Sequence, residues 1–161
     1  MIIKFVTIGV YGYVAEHFFN ALLAAHVDTL CDIRRRRGVR GAEYSFANSQ
    51  RLQERLAELN IRYIHRIDLA PSDELRGEQA QADKQTHTAR RKRTELSEQF
   101  VAGYEESVLA GFDPAQFIAD LAPAHVVALL CVEREPTACH RSLLAGYLHK
   151  TLGVPVHHLT P

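Results

Sequence analysis

Short runs of β-branched and apolar residues recur along this chain, each followed by a stretch with helical spacing, and that alternation restricts the fold more than any other feature. Residues 2–8 alternate as a strand, and residues 14–25 then place Val14, Phe18, Leu22 and Ala25 at helical intervals. Residues 27–33 read as a second strand ending in Asp32-Ile33-Arg34. In residues 45–59, Phe46, Leu52, Leu56 and Leu59 mark a second helix, with Asn48 or Ser45 placed to cap it. Residues 61–64 form a short third strand. Residues 96–109 and 114–121 have helical spacing, with Gly111 closing the first, and Asp113 with Pro114 opening the second. A fourth strand at 125–130, a helix at 142–152 and a last strand at 154–159 complete the pattern.

Strands separated by helices imply parallel pairing through crossovers. The expectation is an α/β three-layer sandwich, Rossmann-like, with a mostly parallel sheet of about five strands. With 161 residues, 47% of them hydrophobic, the chain has enough apolar surface for one domain spanning 1–161. Between about residues 68 and 93 apolar residues almost vanish, and Pro71 and Gly77 interrupt, which predicts a polar loop or lid.

The densest chemistry lies in Cys131-Val132-Glu133-Arg134-Glu135-Pro136-Thr137-Ala138-Cys139-His140-Arg141, between the fourth strand and the last helix. A side chain at such a junction meets unpaired N–H groups and the positive end of a helix dipole, a setting that favours anions and thiolates. If the first and fourth strands are neighbours, the switch point of the sheet lies between them. Thr7 and Gly9, Asp32 and Arg34, and Cys131 and Glu133 would then converge with Cys139, His140 and Arg141 on one crevice.

With those residues placed, the chain resembles the bacterial and archaeal family known as domain of unknown function 488. The matching blocks are Thr7-Ile8-Gly9, Asp32-Ile33-Arg34 and Cys131-x-Glu133-x-x-Pro136-x-x-Cys139-His140-Arg141, with weaker echoes in Ile61-Arg62-Tyr63-Ile64-His65 and at Tyr104. The resemblance implies an α/β fold and a cytoplasmic protein, and supplies no reaction. The chain departs from the family's pattern at Arg35-Arg36-Arg37-Gly38-Val39-Arg40, where a Pro and a Ser-Arg pair are usual, and at Leu69-Ala70, where Leu-Gly is common.

Each motif residue has a functional and a structural reading. Cys139 beside His140 is a candidate thiolate nucleophile, or else packs the helix start. Arg141 and Arg34 suit a phosphate or carboxylate, or else form ion pairs that fix the loops, Arg141 with Glu133 or Asp32. Glu133 and Asp32 are candidate acid-base or orienting groups, or arginine partners. Thr7 and Gly9 complete the expected ligand-binding rim. Cys131 reads as a buried small hydrophobe.

Cys131, Cys139 and His140, with Cys31 as a further soft donor, offer zinc or iron a competing but less favoured site, and no metal ligand is assigned. The spacing lacks the paired Cys-x-x-Cys of structural zinc, and adjacent Cys139 and His140 should diverge on a helix. Neither a Gly-x-Gly-x-x-Gly nor a phosphate-loop lysine motif is present, and no cofactor is indicated. Neither is there an apolar run near the roughly 18 residues of a membrane span, nor a leader pattern at the start; three cysteines argue for free thiols rather than a disulfide framework.

The formal net charge is zero, with arginine clusters at 34–37 and 90–93. The leading expectation is an enzyme binding a small phosphorylated or nucleotide-like anion. The alternatives are a nucleic-acid or protein-binding module using the arginine clusters, and a thiol-redox or metal-binding sensor.

Overall fold

The computed structural model describes residues 2–161. Five strands form one sheet, in chain order β1 (Lys4–Ile8), β2 (Thr29–Asp32), β3 (Arg62–His65), β4 (Val126–Leu130) and β5 (Val156–Leu159). Their spatial order is β3-β2-β4-β1-β5, and every pairing is parallel. The chain is therefore the expected Rossmann-like α/β sandwich.

Side-chain alternation divides the sheet between two cores. Ile8, Leu30, Ala128 and Leu130 face α1 (Ala15–Ala24) and α2 (Ser49–Glu58), packing with Phe18, Leu22, Leu52 and Leu56. Phe5, Cys31, Val127 and Leu129 face the opposite layer, built from α4 (Glu98–Ser107), α5 (Pro114–Leu121) and α6 (His140–Leu152). There they meet Phe100, Tyr104, Phe117, Leu121, Leu144 and Leu148. β4 is central and covered on both sides, which is why it reads as an unbroken Val-Val-Ala-Leu-Leu.

The connections after β1 and β4 leave toward opposite layers, and these two strands are neighbours, in register from Lys4 opposite Val126 to Ile8 opposite Leu130. Their carboxyl ends define the switch point of the sheet. Among the described residues no helix is long and apolar enough to cross a membrane.

The polar segment differs from expectation. Instead of a loop across 68–93, Asp73–Gln85 is a three-turn helix, α3. The Ser72 hydroxyl caps it by accepting from the Leu75 N–H at 3.1 Å, with Asp73 and Glu74 in the first turn and Lys84 in the last, all matched to the helix dipole. Its inward stripe is Leu75, Gln79 and Asp83, spaced four apart and buried. Two of those three are polar, so the stripe does not register as an apolar face. They are buried because they are paired: Gln79 donates to Asp83 at 2.9 Å and accepts from the Ser97 N–H at 2.9 Å, tying α3 to the start of α4.

The second helix begins later than its spacing suggested, after a 3-10 segment at Ala42–Ala47. Asn48 sits at its N-cap position, but its side chain accepts from the Val39 N–H at 2.8 Å and so fixes the preceding loop. Asp113 caps α5 as its position implied, accepting from the Gln116 N–H at 3.0 Å.

Candidate functional site

The residues expected on a single rim separate into two buried networks and a cleft. On the α1/α2 side of the sheet, Asp32 and Arg34 form a bidentate pair, with Arg34 Nε and Nη2 each 2.8 Å from a carboxylate oxygen. Asp32 also accepts from the Tyr63 hydroxyl at 2.6 Å and the Arg34 N–H at 3.1 Å, and Arg34 Nη1 donates to the Ala47 carbonyl at 2.9 Å. Both side chains are shut off from solvent. Their charges lock the turn after β2 to the segment before α2.

At the switch point, Arg141 is completely buried. Its guanidinium donates to the carbonyls of Glu133 at 2.6 Å and Arg134 at 3.2 Å, and to Thr7 Oγ1 at 3.3 Å. Thr7 in turn bonds His158 Nδ1 at 2.7 Å. Arg141 thus holds the backbone of the motif loop rather than either expected carboxylate. Gly9 belongs to the same contact. A Cβ there would lie 2.0 Å from the Glu133 carbonyl oxygen, so only glycine lets the turn after β1 approach so closely.

The third group is Cys131, Cys139, His140 and Glu133, which share the floor of a cleft of about 460 Å³ beneath α3, the 86–97 segment and α4. Cys139 is the N-cap of α6 and has extended backbone, φ −141° and ψ 144°, while His140 is the first helical residue. Neighbours across that change of conformation need not diverge as two helical residues would. Consequently the expected divergence is absent: His140 Nδ1 lies 3.8 Å from Cys139 Sγ and 3.5 Å from Cys131 Sγ. The two sulfurs and an imidazole nitrogen all fall within 4.8 Å of one another.

His140 Nε2 donates to the Ile33 carbonyl at 2.9 Å, which pins the ring and directs Nδ1 at the thiols. Tyr104, whose hydroxyl donates to the Leu69 carbonyl at 2.7 Å, packs its ring 5.5 Å from the imidazole.

The two thiols titrate in opposite directions. Burial raises both, and it prevails at Cys131, which stays protonated. At Cys139 burial is overcome by the hydrogen bond from Cys131, by His140 and by the Arg141 charge, and the thiol is held well below its usual range. Burial likewise lowers His140, yet the adjacent Cys139 sulfur outweighs it and the imidazole keeps its proton above the ordinary value. These opposed shifts favour ionisation of Cys139 beside a protonated His140, with Cys131 keeping its proton.

Residues absent from the sequence-based set complete the cleft. Glu133 Oε1 accepts from Arg90 Nε at 2.8 Å and lies 3.3 Å from Arg93 Nη2, while Arg93 Nη1 pairs with Asp83 at 2.7 Å and its Nη2 reaches the Ala138 carbonyl at 3.0 Å. The second arginine cluster therefore supplies the wall of the cleft, and its sequence signal was basic density in a polar segment. Arg76, Lys84, Arg90 and Arg93 against Asp83 and Glu133 leave that lining two charges positive. Most other cluster arginines are engaged within the chain. Arg35 donates to the Pro71 carbonyl, Arg37 to the Tyr63 hydroxyl, and Arg91 stacks over Tyr11 and Tyr44 at 5.0 and 5.3 Å.

Fold and site together define a parallel α/β protein with a thiol–imidazole centre at its strand ends. The family model described as Domain of unknown function DUF488 matches residues 14–148, and the chain belongs to that family. Comparison with curated proteins and with solved structures gives no significant match.

Proposed function

We propose that this protein is an enzyme that takes a small anionic molecule, phosphate- or carboxylate-bearing, into the cleft and attacks it with the Cys139 sulfur. The observation that carries this reading is the Cys139–His140 contact at the cleft floor beneath a wall of cations. A thiolate is a competent nucleophile, whereas a thiol is a poor one, and the paired imidazolium can return a proton to a leaving group. Arg90 and Arg93 stand where an anionic substituent would be held while the reacting carbon meets Cys139.

Asp32, Arg34, Arg141, Thr7 and Gly9 serve this centre from outside the cleft, by fixing the loops that carry it. Arg141 adds its buried positive charge to the forces that keep Cys139 ionised.

The test uses protein stripped of metal with a chelator. Ultraviolet thiolate absorbance is followed against pH for the native chain and Cys139→Ser, and a panel of phosphates, nucleotides and carboxylates is screened for thermal stabilisation. The expected results are a thiolate signal that persists below the ordinary cysteine range and vanishes in Cys139→Ser, and a stabilising anion whose effect is lost in Arg90→Ala. A signal with the pH dependence of a free cysteine, or no stabilisation by any anion, overturns the reading.

A further inference from the structure

Beyond nucleophilic chemistry, the same floor has the geometry of a metal site. Tetrahedral zinc bound at about 2.3 Å to sulfur and about 2.0–2.1 Å to nitrogen sets a sulfur–nitrogen edge of roughly 3.6 Å. The edges from His140 Nδ1 to Cys131 Sγ and Cys139 Sγ are 3.5 and 3.8 Å. Two of the three donor–donor edges therefore already have the length a metal would set, and the third, between the sulfurs, is no longer than 4.8 Å.

The surroundings agree. A ligating histidine usually donates its other ring N–H to a fixed acceptor, and His140 Nε2 does so to the Ile33 carbonyl. A cleft-facing carboxylate oxygen, Glu133 Oε2, lies 3.6 Å from Cys131 Sγ. Cys31, the remaining cysteine, is buried at the end of β2 and takes no part in the cluster. Three protein donors bordering an open cleft match the coordination of catalytic zinc sites rather than closed structural ones.

We infer that Cys131, Cys139 and His140 bind one Zn²⁺ ion, with the fourth coordination position turned to the cleft, and that its occupancy silences Cys139 as a nucleophile. On binding, the sulfurs and Nδ1 each give a lone pair to the metal, and the protons on Cys131 and His140 leave to solvent. No oxidation occurs. The silencing clause rests on the nucleophile proposed above, while the metal site stands on its own geometry.

The experiment is titration of the chelator-stripped full chain with Co²⁺ and with Zn²⁺. Expected are one equivalent bound, a thiolate-to-cobalt charge-transfer band displaced by Zn²⁺, and loss of the Cys139 thiolate signal as Zn²⁺ is added. Cys131→Ser and His140→Ala should each lose more affinity than the roughly 10–100-fold cost of removing an outer-shell hydrogen bond. Cys31→Ser should bind as the native chain does, and circular dichroism establishes that each variant is folded. Absence of stoichiometric binding by the native chain, or native affinity in folded Cys131→Ser, overturns the metal site. The two readings fail separately. A stripped protein with a low-pH thiolate but no metal uptake refutes only the metal site, whereas metal uptake with an ordinary Cys139 titration refutes only the nucleophile and its silencing.

Discussion

Replacing Asp32 with alanine should unfold this protein far more readily than loss of one surface carboxylate would. The Asp32 and Arg34 side chains are 0% and 1% exposed, and removing the carboxylate strands a guanidinium with one carbonyl partner, that of Ala47. Breaking a buried pair in this way costs about 3–5 kcal/mol. The Tyr63 hydroxyl loses its 2.6 Å acceptor in the same step, so the upper part of that range applies. For a domain of this size each kcal/mol moves the midpoint by roughly 2–4 °C, giving a fall of about 8–20 °C.

The informative companion is the double variant Asp32→Leu with Arg34→Met, which replaces both charges with apolar volume. Such replacements are often neutral or stabilising, and the unpaired Ala47 carbonyl subtracts about 1–3 kcal/mol. The double variant should therefore be more stable than Asp32→Ala, with a coupling energy above roughly 2 kcal/mol between the sites. Urea unfolding followed by circular dichroism measures all of these, provided the slope with denaturant is unchanged. If Asp32→Ala lies within about 1 kcal/mol of the native chain, or the separate effects of Asp32→Leu and Arg34→Met simply add in the double variant, the pair does not lock this turn.

Gly9→Ala should destabilise by several kcal/mol through its clash with the Glu133 carbonyl, whereas Gly146→Ala, exposed on α6 with open space around its Cβ, should stabilise by about 0.5–1 kcal/mol; thermal melts of the two separate steric from propensity effects. His158 is pushed below its ordinary value by burial and by Arg141, so the folded state resists its protonation. Stability should accordingly be full above the unfolded histidine value and fall as pH drops from there through the folded one; His158→Gln should flatten this part of the stability profile, and an unchanged slope would refute the assignment. Tyr104→Phe leaves the Leu69 carbonyl without its donor and should cost about 1–3 kcal/mol in urea unfolding.

Much of the fold was legible because the strands and five of the helices bury apolar stripes of the right period. α3 escaped because Gln79 and Asp83 occupy its inner face and are satisfied by partners that no local pattern reveals. The Cys131–Arg141 block was conspicuous as a crowd of reactive types, and Cys139, His140 and Glu133 do meet at one cleft. What stayed hidden was the division of labour. Asp32 and Arg34 alternate onto the other layer of the sheet, and Arg141 is consumed by backbone carbonyls, facts set by three-dimensional pairing. The meeting of Cys139 and His140 turned on one extended residue at the start of a helix, which composition does not encode.

The Arg90–Glu133 pair gives the cleft a property of its own. Arg90 is half exposed and meets the buried Glu133 through Nε alone, so under the function proposed above its two Nη groups would take an anion without breaking that bond. Binding would then be an addition rather than an exchange of partners. Glu133 stays anchored by Arg90 and Arg93 beside Cys131, and its charge offsets part of the arginine wall that an anion would meet.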